Sequence, residues 1–558
     1  MGRAITFRSV AEMPPLAISL DDISHNKTGS WRYLRPVYRN KIPPCRAGCP
    51  AGNDIPRWLA LVAEGRLTEA WKTIRENNPF PGITGRVCAH PCEAYCNRKE
   101  FDEPIAIAAL ERHVADEAFA LHDEPPSGER RREKIAIVGS GPAGLSCAYF
   151  LAKQNYPVTI YEAESQPGGM LRLGIPSYRL PRDVIDKEID DIVRLGVEIK
   201  TGYRVGRDID LERLWASYDA LFIATGAYRS RPLGIPGEEL PGVLAGLDVL
   251  KAINTGRKIS LGERVLVIGG GNTAMDAART ALRLGARVTV IYRRTRAEMP
   301  AIPEEIAQAE AEGVEFLFLA APQKIERVHG RLRVHLIRMQ LGEPDKSGRR
   351  RPVPLPNSEF VLEADALLKA IGEDPDLDFL AEELETSEGI VIHNERGRLS
   401  RAGIFLGGDA RTGPSTVVEA IADGKAASKA IQRYLRSPSR TASALLPERF
   451  APEKIKLNTS YFAHQARVPV LELPPEERQH GFAEVKAPLW LEDAIVEAQR
   501  CFSCGVCNAC DNCRVFCPDV AISRVNGLYH VNLEYCKGCG ICAAECPRGC
   551  IDLIEEGR

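Results

Sequence analysis

An excess of charge of either sign is missing from this sequence: 73 basic residues face 75 acidic ones, a formal charge of -2 over 558 residues. That balance gives no electrostatic reason to expect nucleic acid or a membrane surface as a partner. Long apolar runs are missing as well. The longest one in the N-terminal half, IAIVGSGPAGLSCAYFLA, is broken by Gly139, Gly141, Pro142 and Gly144 and does not read as a membrane span. The first residues, MGRAITFRSVAEMPPLAISLDD, lack a basic segment followed by a long apolar core and a small-residue cleavage site, so the expected location is cytoplasmic. Low-complexity tracts and solenoid repeats are absent. Most telling, the middle of the chain is nearly free of cysteine. Five of the 17 cysteines lie from Cys45 to Cys96, eleven from Cys501 to Cys550, and between these groups stands Cys147 alone. In a reducing compartment such clustering points to metal ligation ahead of disulfides.

A chain of this length exceeds one ordinary core, and domains of roughly 100 to 200 residues predict three to five of them. The expected order is an N-terminal extension (1–39), a helical iron-sulfur module (40–125), a dinucleotide-binding domain (134–255) interrupted by a second one (256–385) and completed by 386–435, a linker (436–491), and a ferredoxin segment (492–558). Helical spacing in IPRWLALVAEGRLTEAWKTI and IAIAALERHVADEAFALH supports the first module, and the polar run HDEPPSGERRREK leads out of it. The fold class is therefore multi-domain α/β.

In GSGPAG, Gly139, Gly141 and Gly144 permit a tight turn, close backbone approach to a pyrophosphate and helix-on-strand packing, with the helix N-terminus facing the phosphates. The second strand ends in Glu162, placed to accept hydrogen bonds from a ribose. A second turn, GGGNTA, offers Gly269, Gly271, Asn272, Thr273 and Ala274, but its second strand ends in Tyr292, Arg293 and Arg294. Arginine there suits the 2′-phosphate of NADP over NAD, and a solvated surface pair is the alternative.

Two further segments, LFIATGAYRS and GIFLGGDARTGPSTVVEAIADGKAA, resemble the two-dinucleotide-fold flavoproteins. The resemblance implies FAD in the first fold, held by Thr225, Gly226, Asp409 and Thr416, and the nicotinamide in the second. Many such flavoproteins reduce disulfides with a cysteine pair near the flavin. Cys147 offers no pair and reads as a small core residue.

The C-terminal cysteines form two C-x2-C-x2-C-x3-C-P runs, the bacterial ferredoxin pattern in which the fourth cysteine of each run serves the other cluster. One 4Fe-4S cluster would take Cys507, Cys510, Cys513 and Cys546, the other Cys536, Cys539, Cys542 and Cys517. By spacing alone, Cys45, Cys49, Cys88, Cys92 and Cys96 could make a zinc site with one spare ligand. CRAGCPAGNDIPRWLALVAEGR, NPFPGITGRVCAHPCEAYCNR and IAIAALERHVAD, however, resemble the N-terminal module of the glutamate synthase small subunit and of dihydropyrimidine dehydrogenase. With the flavoprotein body, that resemblance covers most of residues 40 to 435. It implies two clusters in the module, one of them with a non-cysteine ligand at the position of Glu111 and with Cys49, Cys88 and Cys92.

The C-x2-C pair that would complete the other cluster is missing before Cys45, where the chain reads VYRNKIPPC. Cys501 and Cys504, in EAQRCFSCG, resemble that pair and are expected to join Cys45 and Cys96. Setting aside Cys147 and Cys550, read as plain buried thiols, the remaining cysteines and Glu111 suffice for four clusters.

No general acid or base is nominated, because hydride transfer to a flavin needs positioning and dryness. The expected function is an electron-transfer flavoprotein subunit that moves electrons between NAD(P)H and iron-sulfur carriers. It would serve ferredoxin or a partner such as a 2-oxoacid:ferredoxin oxidoreductase in a hetero-oligomer. A glutamate synthase small subunit is the alternative enzyme, and a non-catalytic iron-sulfur scaffold the alternative of another class.

Overall fold

The computed structural model describes residues 8–12, 27–345, 348–380, 385–387, 390–392, 403–437, 450–451 and 453–556. The helices Ile55–Ala63, Leu67–Arg75 and Ile107–Glu117 carry apolar residues every third or fourth position. Trp58, Leu59, Val62, Trp71, Ile74, Leu110 and Val114 consequently meet in one core. Leu489, Ala494 and Ala498 enter the same core from the other end of the chain. The helix Leu491–Gln499, expected to lead into the ferredoxin segment, is thus built into the N-terminal module.

Two parallel sheets form the body. The first runs in the order Ile404–Leu406, Ala220–Ile223, Ile135–Val138, Val158–Glu162 and Glu198–Thr201. Its central strands IAIV and ALFI are buried at every position, as a sheet covered on both faces requires. Each such Ile, Leu or Val contributes about 1.5–3 kcal/mol. Helix Pro142–Ala152 crosses this sheet against helix Val417–Arg436, and Ser146 Oγ donates to the Ile421 carbonyl at 2.9 Å. Cys147 is fully buried there, as a small core residue should be.

The second sheet runs Glu315–Phe318, Arg287–Tyr292, Arg264–Ile268, Ala366–Lys369 and Val243–Ala245. The expected boundary at residue 255 is therefore displaced: Val243–Ala245 pairs in parallel with Leu367–Lys369 and belongs to the second fold. The strand is short and only half-buried, with no alternation to announce it. An antiparallel sheet of Ala320–Val328, Arg331–Pro344 and Arg350–Ala364 covers one face of this fold.

The ends of the chain close on each other. Leu34–Tyr38, expected as part of an extension, pairs antiparallel with Ile551–Glu555 of the ferredoxin segment, Tyr38 opposite Ile551. Pro36 is tolerated because both strands are edges. The expected linker is also not free. Its described residues run along the N-terminal module, where Arg467 pairs with Glu93 at 2.8 Å and Val468 N donates to Glu497 at 2.9 Å. Among the described residues no helix is long and apolar enough to cross a membrane.

Candidate nucleotide and iron-sulfur sites

Gly139 begins the first turn with φ +100, and a Cβ there would lie 2.4 Å from the Ala224 carbonyl oxygen. A Cβ at Gly144 would lie 2.1 Å from the Gly139 oxygen, so the helix starts directly on the turn. Gly141, by contrast, faces open space, with nothing within 4 Å of its Cβ position. A phosphate fits that side, at the N-terminus of Pro142–Ala152.

Glu162 is buried, and the turn itself anchors it: one carboxylate oxygen accepts from Ser140 N at 2.9 Å and Ser140 Oγ at 2.5 Å, the other from Glu164 N at 2.8 Å. The Cα of Thr225 stands 3.2 Å from where a Gly139 Cβ would be, and its hydroxyl is buried with no hydrogen-bond partner among the described residues. Such an orphaned hydroxyl suits a polar ligand in the cleft. Gly226 follows at φ +74. Asp409 accepts from Ser415 N at 3.0 Å and Ser415 Oγ at 2.6 Å, and burial raises its carboxyl above the ordinary range. Thr416 caps the helix Val417–Arg436 through a reciprocal pair with Glu419.

Sequence reasoning missed Tyr228. Its ring borders Gly226, and its hydroxyl lies 3.3 Å from where a Gly169 Cβ would be. Its place two residues beyond the Thr225–Gly226 turn was the available signal.

The second turn repeats the mechanics. A Cβ at Gly269, φ +145, would lie 2.1 Å from the Ala370 oxygen, Gly271 is open, and Ala274 is fully buried in the first turn of the helix Asn272–Arg283. Asn272 Oδ1 accepts from Ile302 N at 2.9 Å, and Thr273 is half-buried beside it. The two arginines part company. Arg294 is buried, pairs with Asp345 at 2.7 Å and donates to the Arg350 carbonyl at 2.7 Å. Arg293 is exposed, and among the described residues no ion pair engages it. Arg179, reaching from the first fold, pairs with Asp276 at 2.8 Å and Glu305 at 2.9 Å and ties the second fold to the first.

The cysteines gather in four groups. Cys49, Cys88 and Cys92 are mutual neighbours at the edge of the first fold's core, with Glu111 beside Cys49 and Cys88. Burial pushes the Glu111 carboxyl up to about 7 against its hydrogen bond from Asn78, at 3.0 Å. Cys45, Cys96, Cys501 and Cys504 line one small cavity. Cys517, Cys536, Cys539 and Cys542 line another. Cys513 has Cys507, Cys510 and Cys546 around it. Cys550 is buried as expected, with its sulfur 3.5 Å from that of Cys546.

Residues 133–424 match the pyridine nucleotide-disulphide oxidoreductase family. Residues 37–122 match dihydropyrimidine dehydrogenase domain II, 4Fe-4S cluster, and residues 529–552 a 4Fe-4S binding domain. The NADPH-Fe(3+) oxidoreductase subunit beta of Geobacter sulfurreducens is 40% identical over 509 residues, spanning 83% of this chain and 75% of the relative. The NADP(+)-dependent formate dehydrogenase subunit beta of Moorella thermoacetica is 42% identical over 498 residues, 83% of this chain and 70% of the relative. The glutamate synthase [NADPH] small chain of Escherichia coli is 38% identical over 421 residues, 70% of this chain and 89% of the relative. Since the first of these family matches takes in more than half of the chain and both glycine turns, the chain belongs to the pyridine nucleotide-disulphide oxidoreductase family and is an NAD(P)H oxidoreductase carrying 4Fe-4S domains.

Proposed function

We propose that the chain is the electron-transfer subunit of a hetero-oligomer, taking electrons from NADPH at the second glycine turn and delivering them through its C-terminal ferredoxin segment to ferredoxin or a catalytic partner subunit. The single observation that carries this reading is the disposition of the ends. Both nucleotide turns lie within the body, while Cys507, Cys510 and Cys539 are exposed at the ferredoxin end, where a partner can approach. Bound FAD would supply the exchange between a two-electron hydride and the one-electron carriers beyond it.

The residues of this chain would hold, orient and shield. The open faces of Gly141 and Gly271 would receive the two pyrophosphates, Glu162 and Asp409 the hydroxyl groups of FAD, and Arg293 the 2′-phosphate of NADPH. Cys49, Cys88, Cys92 and Glu111 would bind one 4Fe-4S cluster, and the eight cysteines of the two ferredoxin runs would bind two more. Two relatives named as beta subunits of NADPH- or NADP-dependent enzymes support both the cofactor choice and the need for a partner. The glutamate synthase small chain is the weaker parallel, because its match takes in less of this chain.

The test is NADPH-driven reduction of a viologen dye by the purified chain, with Arg293→Ala as the probe. Loss of one charge-assisted contact, about 1.5–3 kcal/mol, raises KM for NADPH about 10- to 100-fold while KM for NADH stays put. Wild-type protein that prefers NADH would refute the assignment of Arg293. Protein that retains iron and flavin yet reduces no dye with either nucleotide would refute the functional reading.

A further inference from the structure

We infer that Cys45, Cys96, Cys501 and Cys504 hold one 4Fe-4S cluster, so that a single inorganic centre fastens the two ends of the chain together and stands between the N-terminal and ferredoxin clusters. The inference rests on the electron-transfer reading above and adds to it a metal site and its place in the route. Its first support is the cavity: the four cysteines line one enclosed space whose remaining walls are largely apolar, Leu59, Ile107 and Phe502 among them. Four cysteine sulfurs gathered around a largely apolar space are the donor set a 4Fe-4S centre requires.

The four cysteines surround a cavity and do not converge on one point, which bears on the kind of metal. A tetrahedral zinc site draws four sulfurs onto one point. A cubane spreads its four ligands over four irons, one sulfur to each, and suits cysteines that surround a space.

The backbone on both sides of the added pair is clamped to residues near the other two ligands, once by a main-chain amide and once by a side chain. Lys41 N donates to the Gly505 carbonyl at 2.9 Å, and Arg98 Nη1 donates to the Arg500 carbonyl at 2.6 Å. The sulfurs also receive donors. Ser503 N lies 3.4 Å from Cys501 Sγ, and Asn97 Nδ2 lies 3.5 Å from Cys504 Sγ. Hydrogen bonds to sulfur of this kind tune the reduction potential of an iron-sulfur centre.

The sequence spacing then fixes the neighbours. Cys45 is followed closely by Cys49, Cys96 is preceded closely by Cys92, and Cys504 is followed closely by Cys507. Three of the four ligands are thus next along the chain to a ligand of another group, two on the N-terminal side and one on the ferredoxin side. A centre bound this way can lie only between them.

The experiment is iron analysis and electron paramagnetic resonance of the reduced full chain, isolated without oxygen. Wild-type protein should hold about sixteen irons, at four to a cubane. The double variant Cys501→Ala/Cys504→Ala should hold about twelve and lose one signal, and Cys45→Ala/Cys96→Ala should lose the same signal. Wild-type protein with about twelve irons, or a Cys501/Cys504 variant with undiminished iron and spectrum, would overturn the shared centre. Neither result depends on NADPH oxidation, so failure of the dye assay with sixteen irons present would strike the functional reading alone. Should the double variants not fold, Asn97→Leu serves instead: it should shift the midpoint potential of one signal and leave the rest in place, and unchanged midpoints throughout would overturn the placement of that centre beside Cys504.

Discussion

The sulfurs of the N-terminal module sit in or against an apolar core, whereas three in the ferredoxin segment, Cys507, Cys510 and Cys539, are exposed. The two modules are also docked differently. The N-terminal one is held to the flavin body by buried polar groups, Arg75 with Asp191 at 3.3 Å and Glu188 on the backbone of Gly82 at 2.7 Å. Beyond the buried helix Leu491–Gln499, the cysteine-bearing part of the ferredoxin segment is held by one edge-strand pairing, by backbone contacts such as Lys41 N to the Gly505 carbonyl, and by partly exposed pairs such as Arg32 with Glu556 at 2.8 Å. The difference has a physical consequence for an electron route. Buried carriers exchange electrons with fixed neighbours inside the chain, and exposed ones exchange with a protein that must arrive and leave.

Breaking the tie between the modules should have the largest effect. Arg500 is fully buried, pairs with Glu497 at 2.6 Å and Asp102 at 3.2 Å, and donates to the Glu103 carbonyl at 2.8 Å. Arg500→Ala leaves Glu497 buried without its partner, a change that costs about 3–5 kcal/mol. Urea unfolding should show a loss of that size together with release of the C-terminal segment to limited proteolysis. A loss below about 1 kcal/mol, the scale of an exposed ion pair, would mean that the ends are not joined here.

Removal of iron should sharpen the contrast next. Under mild oxidant and chelator the exposed ferredoxin centres are expected to go first, about eight irons, with the helical content of the N-terminal module intact. The remaining iron should leave in a later phase that coincides with loss of helix by circular dichroism. One phase for all the iron would erase the distinction between the modules.

How much of this was legible in the sequence follows from how local each feature is. The glycine turns read correctly because the constraint is local: Gly139 and Gly144 meet carbonyl oxygens that any nucleotide-binding turn of this shape presents. The family resemblance held for the same reason, since its motifs are contiguous. Arg294, expected with Arg293 to face a 2′-phosphate, pairs with Asp345 in a distant hairpin, a contact that no local pattern announces. The strand Leu34–Tyr38 was illegible: LRPVY has a proline at its centre and no alternation, and its partner lies at the other end of the chain. Cys550 falls outside the ferredoxin spacing, yet it stands only four residues beyond Cys546, and the turn between them brings the two sulfurs within 3.5 Å. The gathering of Cys45 and Cys96 with Cys501 and Cys504 was anticipated by ligand counting, a constraint that acts at any separation.

An effect that depends on pH probes the dock of the N-terminal module on the flavin body. Glu188 is buried, accepts from the Gly82 and Ile83 amides at 2.7 and 3.2 Å, and lies near Arg75. Burial dominates these favourable contacts and pushes its carboxyl from an ordinary 4.5 up to about 8. A carboxyl whose folded value is raised favours folding while protonated. Its contribution is fully present below 4.5 and is lost as the pH rises through 8. Glu188→Gln cannot ionise, so its stability relative to the parent should improve steadily across that window and level off above it. Melting temperatures of the two proteins at matched pH give the comparison. A constant difference from acid to alkaline pH would show that Glu188 stays charged and that the helix N-terminus at Pro81–Val87, with Arg75, outweighs burial.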